Sequence, residues 1–134
     1  MSLLESCLTV AIVSTAAAIA VPSLMKARES YELDAAARQV AGKMQAARIK
    51  AVSRNQDCRV RVHSEVSVMI ECRDDVWLTD EVFVLPQGFR ITANASPQFH
   101  RRGNASPTAT ITIWNRDSQA RRVIVNITGR VRVE

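Results

Sequence analysis

The sequence predicts an α+β protein, in which one long N-terminal helix packs on an antiparallel β-sheet domain. Three observations carry this. Residues 6–25, "SCLTVAIVSTAAAIAVPSLM", contain no charged side chain, and a helix of that length rising about 1.5 Å per residue matches a hydrocarbon layer of roughly 30 Å. Next, Leu33, Ala37, Val40, Met44, Ala47 and Ala51 recur at alternating spacings of four and three, the single stripe of an amphipathic helix. From residue 57 onward, apolar and polar residues alternate with period two, as in half-buried strands.

The elements follow in order. Residues 1–25 are the membrane-spanning half of the helix. A secretory signal peptide would place positive charge before its apolar run; here Glu5 precedes the run, and Lys26 and Arg28 follow it. Taken alone, those two cations argue for a cytoplasmic C-terminal side. Pro22 removes one backbone hydrogen bond and is expected to kink the helix at the membrane boundary. Residues 26–56 are the amphipathic half, and Asn55 and Asp57 suit its stop.

Residues 57–134 form the β domain. Val60 and Val62 alternate with Arg59, Arg61 and His63, and Val66, Val68 and Ile70 with Ser67, Met69 and Glu71. Further strands are predicted at 81–86, 89–92, 108–114, 121–127 and 130–133, with Gly88, Gly103 and Gly129 at turns or bulges. "NASP" at 94–97 and again at 104–107 marks two loop ends. One helix on one such sheet is an α+β roll. Cys58 and Cys72 flank the first hairpin. A three-residue loop at Ser64–Val66 sets them opposite each other, as a cross-strand disulfide in an oxidising compartment. A two-residue turn shifts the register and removes that pairing. Cys7 lies in the apolar run as a small hydrophobe.

At 134 residues, 47% apolar and 23% charged, the chain is neither disordered nor multi-span. Its net charge of +5 is placed at one end. Residues 1–94 hold eleven Lys/Arg and eleven Asp/Glu, whereas residues 95–134 hold seven arginines against Asp117 and Glu134. That asymmetry points to a polyanionic partner, with a solvated basic face as the plain alternative. His63 and His100, the two histidines, have no neighbouring Cys or carboxylate at metal-ligand spacing. Phosphate-loop, nucleophile-elbow and dinucleotide signatures are absent, so no cofactor and no enzymatic activity are expected.

"MSLLESCLTVAIVSTAAAIAVPSL" resembles the mature N-terminus of type IV pilins and type II secretion pseudopilins, with Glu5 and Pro22 at the places those motifs occupy. "AARQVAGKMQAARIKAVSRNQ", "FHRRGNAS" and the closing "RRVIVNITGRVRVE" resemble the GspH/FimT group, so the likeness spans nearly the whole chain. The resemblance implies a pilin-like fold inserted in the bacterial inner membrane. It also sets the globular domain on the periplasmic side, against the reading of Lys26 and Arg28, because a short basic leader before the mature first residue directs insertion. Met1 stands at that first place here. It further implies assembly with other pilins or pseudopilins, Glu5 meeting the N-terminal amine (here Met1) of a neighbouring subunit. A carboxylate at the edge of a spanning helix is costly unless paired.

FimT-like minor pilins of natural transformation resemble this chain in ending on Gly-Arg-x-Arg, matched by Gly129, Arg130 and Arg132. The resemblance implies DNA binding, and the physics fits. Two guanidiniums on one strand face lie about 6.6–7 Å apart, close to successive phosphates, and each grips a phosphate bidentately. Arg101, Arg102, Arg121 and Arg122 widen the patch. Backbone contacts of this kind give sequence-independent, salt-sensitive binding of duplex DNA. Aromatic residues for stacking are scarce, since beyond Phe99 only Trp114 is available. The rival is a minor pseudopilin at or near the tip of a secretion filament, its arginines meeting acidic neighbours or water. A third reading, a single-pass membrane adaptor unrelated to filaments, does not account for Glu5 and Pro22.

Overall fold

The computed structural model describes residues 2–134; Met1, and with it the expected role of its amine, lies outside the described residues. Helix α1 runs from Leu3 to Ser53 and passes through Pro22 without interruption. Contacts divide the chain into two compact units, one ending at Glu32 and the other spanning Leu33–Glu134.

In the first unit, Ser2 caps the helix: its Oγ accepts the backbone N–H of Glu5 at 3.3 Å, the arrangement Ser-x-x-Glu favours. Residues 2–29 are exposed throughout, and the segment is long and apolar enough to cross a membrane. Its hydroxyls bond to the helix itself, Thr9 to the Glu5 carbonyl at 2.5 Å and Thr15 to that of Ala11 at 2.7 Å. Ser14 does the same to Val10. An apolar solvent demands this internal satisfaction. No described residue pairs with the Glu5 carboxylate.

In the second unit, the helix buries Leu33, Ala36, Ala37, Val40, Met44, Ala47 and Ala51. The expected stripe is therefore the buried face, with Ala36 added to it. Strands β1 (Asp57–Ser64), β2 (Ser67–Arg73), β3 (Trp77–Val84), β5 (Gln98–Phe99) and β6 (Ala105–Ser106) form one sheet in the order β3-β2-β1-β5-β6. Strands β4 (Arg90–Ala93), β7 (Ala109–Trp114), β8 (Ala120–Val125) and β9 (Val131–Val133) form a second, ordered β4-β7-β8-β9. All pairings are antiparallel. The single sheet expected from the sequence is thus two. Isolated backbone bonds, Ile91 N–H to Glu65 C=O at 2.7 Å and Ala105 N–H to Ile127 C=O at 2.9 Å, join them where no continuous ladder forms. The two short strands β5 and β6 fall where the sequence suggested loops. Both sheets and the helix share one core, with Phe99 and Ile113 fully buried.

The first hairpin corrects the turn arithmetic. Cys58 does lie opposite Cys72, yet Ser64 pairs with Ser67 across a two-residue turn. A bulge between Val62 and Ser64 absorbs the odd residue, so the short turn and the cysteine pairing coexist. The two cysteines are bonded, with Cα atoms 4.0 Å apart.

An ionic seam ties the helix to β3. Lys50 Nζ lies 2.5 Å from Asp80 and 3.2 Å from Glu81, Arg54 lies 2.9 Å from Asp80, and Lys43 pairs with Glu81. Hydrogen bonds from Lys50 and then Arg54 hold the Asp80 carboxyl below its ordinary value. Those from Lys43 and Lys50 do the same for Glu81. The Asp80 bond in turn raises Lys50.

Candidate nucleic-acid interface

The candidate site begins at the turn between β8 and β9. The N–H of Gly129 donates to the Asn126 carbonyl at 2.8 Å, and that of Asn126 to the Arg130 carbonyl at 3.0 Å. Gly129 takes φ of +78°, the left-handed residue that closes a three-residue hairpin loop. A second constraint acts on the same glycine. A Cβ there would lie 2.0 Å from the carbonyl oxygen of Gly103, in the loop between β5 and β6.

The helix locks the two loops together. Arg48 Nε donates to the Gly103 carbonyl at 2.8 Å, and its Nη2 reaches the Thr128 carbonyl at 3.4 Å. Segments far apart in sequence, "FHRRGNAS" and "NITGR", therefore meet. Arg101 and Arg102 are exposed on one loop and Arg130 on the other. Beside them an open groove of about 350 Å³ is lined by Gln45, Arg48, Ile49, Val52, Arg102 and Gly103, among others.

Period two sorts the remaining arginines. In β7, Ala109, Ile111 and Ile113 are buried, so Thr110, Thr112 and Trp114 occupy the outer face. Arg122 pairs with Thr112, and Ile124 with both Thr110 and Arg132, so Arg122 and Arg132 share that outer face. Both remain exposed, their guanidiniums converging on the Glu134 carboxylate. Arg132 is hydrogen-bonded to it and Arg122 lies 3.8 Å away. Arg121 departs from the expected patch. It pairs with Ile113 on the core side and donates to Asp34 of the helix at 2.6 Å, so it braces the fold rather than widening the basic face. Gly129 likewise offers backbone conformation, not a contact group.

Two residues escaped the sequence reading. Arg90 pairs with Trp114 on the same outer face; its alternation with Ile91 was a signal, masked because charge balances over residues 1–94. Nothing local marks Arg48 as a clamp, since both carbonyls it serves lie more than fifty residues downstream. Glu5 and Pro22 sit on the exposed apolar part of α1.

A family model described as type II transport protein GspH matches residues 36–129. Among curated proteins, none matches the chain in sequence. The fold is similar to that of the minor pseudopilin EpsH from the type 2 secretion system of Vibrio cholerae. The TM-score is 0.66 at 15% identity, covering 77% of this chain and 96% of that one. It is equally similar to the type IV minor pilin FimU of Pseudomonas aeruginosa, with a TM-score of 0.66 at 17% identity, covering 79% and 90%.

Proposed function

The chain belongs to the GspH family, and from that premise we propose that it is a minor pilin of a type IV pilus that binds DNA through its phosphate backbone, in support of DNA uptake during natural transformation. The exposed half of α1 anchors it in the inner membrane and, once assembled, in the filament core, with Glu5 setting register against a neighbour's amine. The domain from Leu33 onward faces the periplasm. One observation supports the DNA reading: the turn closed by Gly129 leads through Arg130 into β9, and Arg130 and Arg132 are both exposed there.

The test uses the full chain in non-ionic detergent micelles with duplex DNA at several salt concentrations. The expected Kd is roughly 1–100 µM near physiological salt, and Arg130→Gln/Arg132→Gln should flatten the logarithmic salt slope by about 1.8. Binding indifferent to that double change would remove the assignment to these arginines. The second reading, a minor pseudopilin of a type II secretion system, is favoured by the family's description. It would then lead, with Arg122 and Arg132 facing acidic neighbours in a filament.

A further inference from the structure

The outer face of the second sheet holds more than the two arginines of the C-terminal motif. Its cations lie on one diagonal. Arg130, which leads into β9, and Arg132 on β9 are two residues apart, about 7 Å for extended chain. Arg132 is a diagonal neighbour of Arg122 on β8, about 7–8 Å away. Arg90 follows two strands further on, one row across, at roughly 12 Å. The gap before Arg90 is bridged by Thr92 and Thr112, paired across β4 and β7, whose hydroxyls are phosphate donors. Arg122 and Arg132 both approach the Glu134 carboxylate, so the two guanidiniums are already oriented toward a shared anion on this face.

The diagonal ends at Trp114. A shallow pocket of about 260 Å³ opens there, lined by Glu65, Arg90, Thr92, Trp114 and Ser118. The two tryptophans differ in a telling way. Trp77 is covered by Arg59, whose guanidinium lies 4.2 Å from the ring centroid. Trp114 has no cation or ring stacked on it among the described residues. Arg90 and Glu65 offset each other's charge in this lining, so the pocket itself suits an uncharged ring while Arg90 faces the nucleic-acid strand's backbone.

We propose that one nucleic-acid strand crosses this face from Arg130 to Arg90 and stacks an unpaired base on Trp114, so that the site grips single-stranded segments in addition to duplex backbone. This rests on the DNA reading above and extends it to a substrate form. A base inside a duplex is already stacked on both sides; only an unpaired one can meet the ring.

The test compares a twelve-residue oligothymidylate with a duplex of equal length, using the full chain in micelles. Trp114→Thr should weaken oligothymidylate binding by roughly five-fold or more and leave the duplex unaffected. Arg90→Gln should flatten the single-strand salt slope by about 0.7. Thr112→Lys, which places a cation in the gap and removes no packing, should steepen that slope by about 0.7. In a Trp77→Phe background, oligothymidylate should quench the remaining tryptophan. Unchanged single-strand affinity and slope in Arg90→Gln and Thr112→Lys, with unquenched Trp114, overturn the proposal even if Arg130→Gln/Arg132→Gln abolishes binding. In that case the DNA reading stands and the contact ends at β9. If the wild type binds neither probe, both fall.

Discussion

Replacing Gly129 by alanine separates a glycine that touches DNA from one that shapes the site. Two costs are visible. A side chain at φ of +78° is penalised by about 1–2 kcal/mol. The new Cβ would also stand 2.0 Å from the Gly103 oxygen, so one loop must move. That same oxygen accepts the 2.8 Å bond from Arg48, and losing a bond to a charged donor costs about 1.5–3 kcal/mol. Together these give about 2.5–5 kcal/mol, a large part of the roughly 5–15 kcal/mol of a typical domain. Urea unfolding of the micelle-bound chain, followed by tryptophan fluorescence, should show the midpoint falling by about 2 M. Gly129→Asn is the discriminating companion, because asparagine tolerates positive φ but still carries a Cβ. It should be nearly as unstable as the alanine variant. Arg130→Gln should stay within about 0.5 kcal/mol of wild type. If Gly129→Ala keeps wild-type stability and only weakens DNA binding, the close approach to Gly103 is not what constrains this position.

Two further outcomes follow from the electrostatics. Glu134→Gln removes the carboxylate that occupies Arg122 and Arg132. Exposed pairs of this kind are worth about 0.2–1 kcal/mol, so DNA affinity should rise about two- to five-fold with stability nearly unchanged. Weaker binding in a titration of this variant would contradict the arrangement. The seam between helix and β3 should make the domain acid-sensitive. Asp80 and Glu81 are held below their ordinary values of 3.8 and 4.5. Their contribution is therefore fully present above those values and is lost as pH falls beneath them through the lowered ones. Asp80→Asn/Glu81→Gln should be less stable at neutral pH and should flatten the urea midpoint's pH dependence below about 4.5; an unaltered profile would count against the seam.

Much of the site was legible because its signals are local. Period two places Arg130 and Arg132 on one face, and the same alternation separates Arg121 from Arg122. Read strictly, it already argued against counting both in one patch. The spacing of Leu33 to Ala51 already specifies the buried helix face. Cys58 opposite Cys72 was legible too, although the bulge after Val62 that permits it with a two-residue turn was not. A bulge is selected by what the strands pack against, and in this hairpin Val60, Val68 and Ile70 must all face the core.

The order of residues alone specified the long helix and the longer strands, which of their faces are apolar, and the gathering of the basic excess at one end. Those properties follow from side-chain period and charge, which need no partner beyond the next turn or residue. Long-range packing divides the ladder into two sheets and commits Arg121 to Asp34. It also sets Gly129 against Gly103 under the Arg48 clamp, and puts Arg90 and Trp114 on the outer face shared by Arg122 and Arg132. Each of these joins residues separated by tens of positions. Such pairings are chosen by closing loops around a shared core, and no window of local sequence carries that choice.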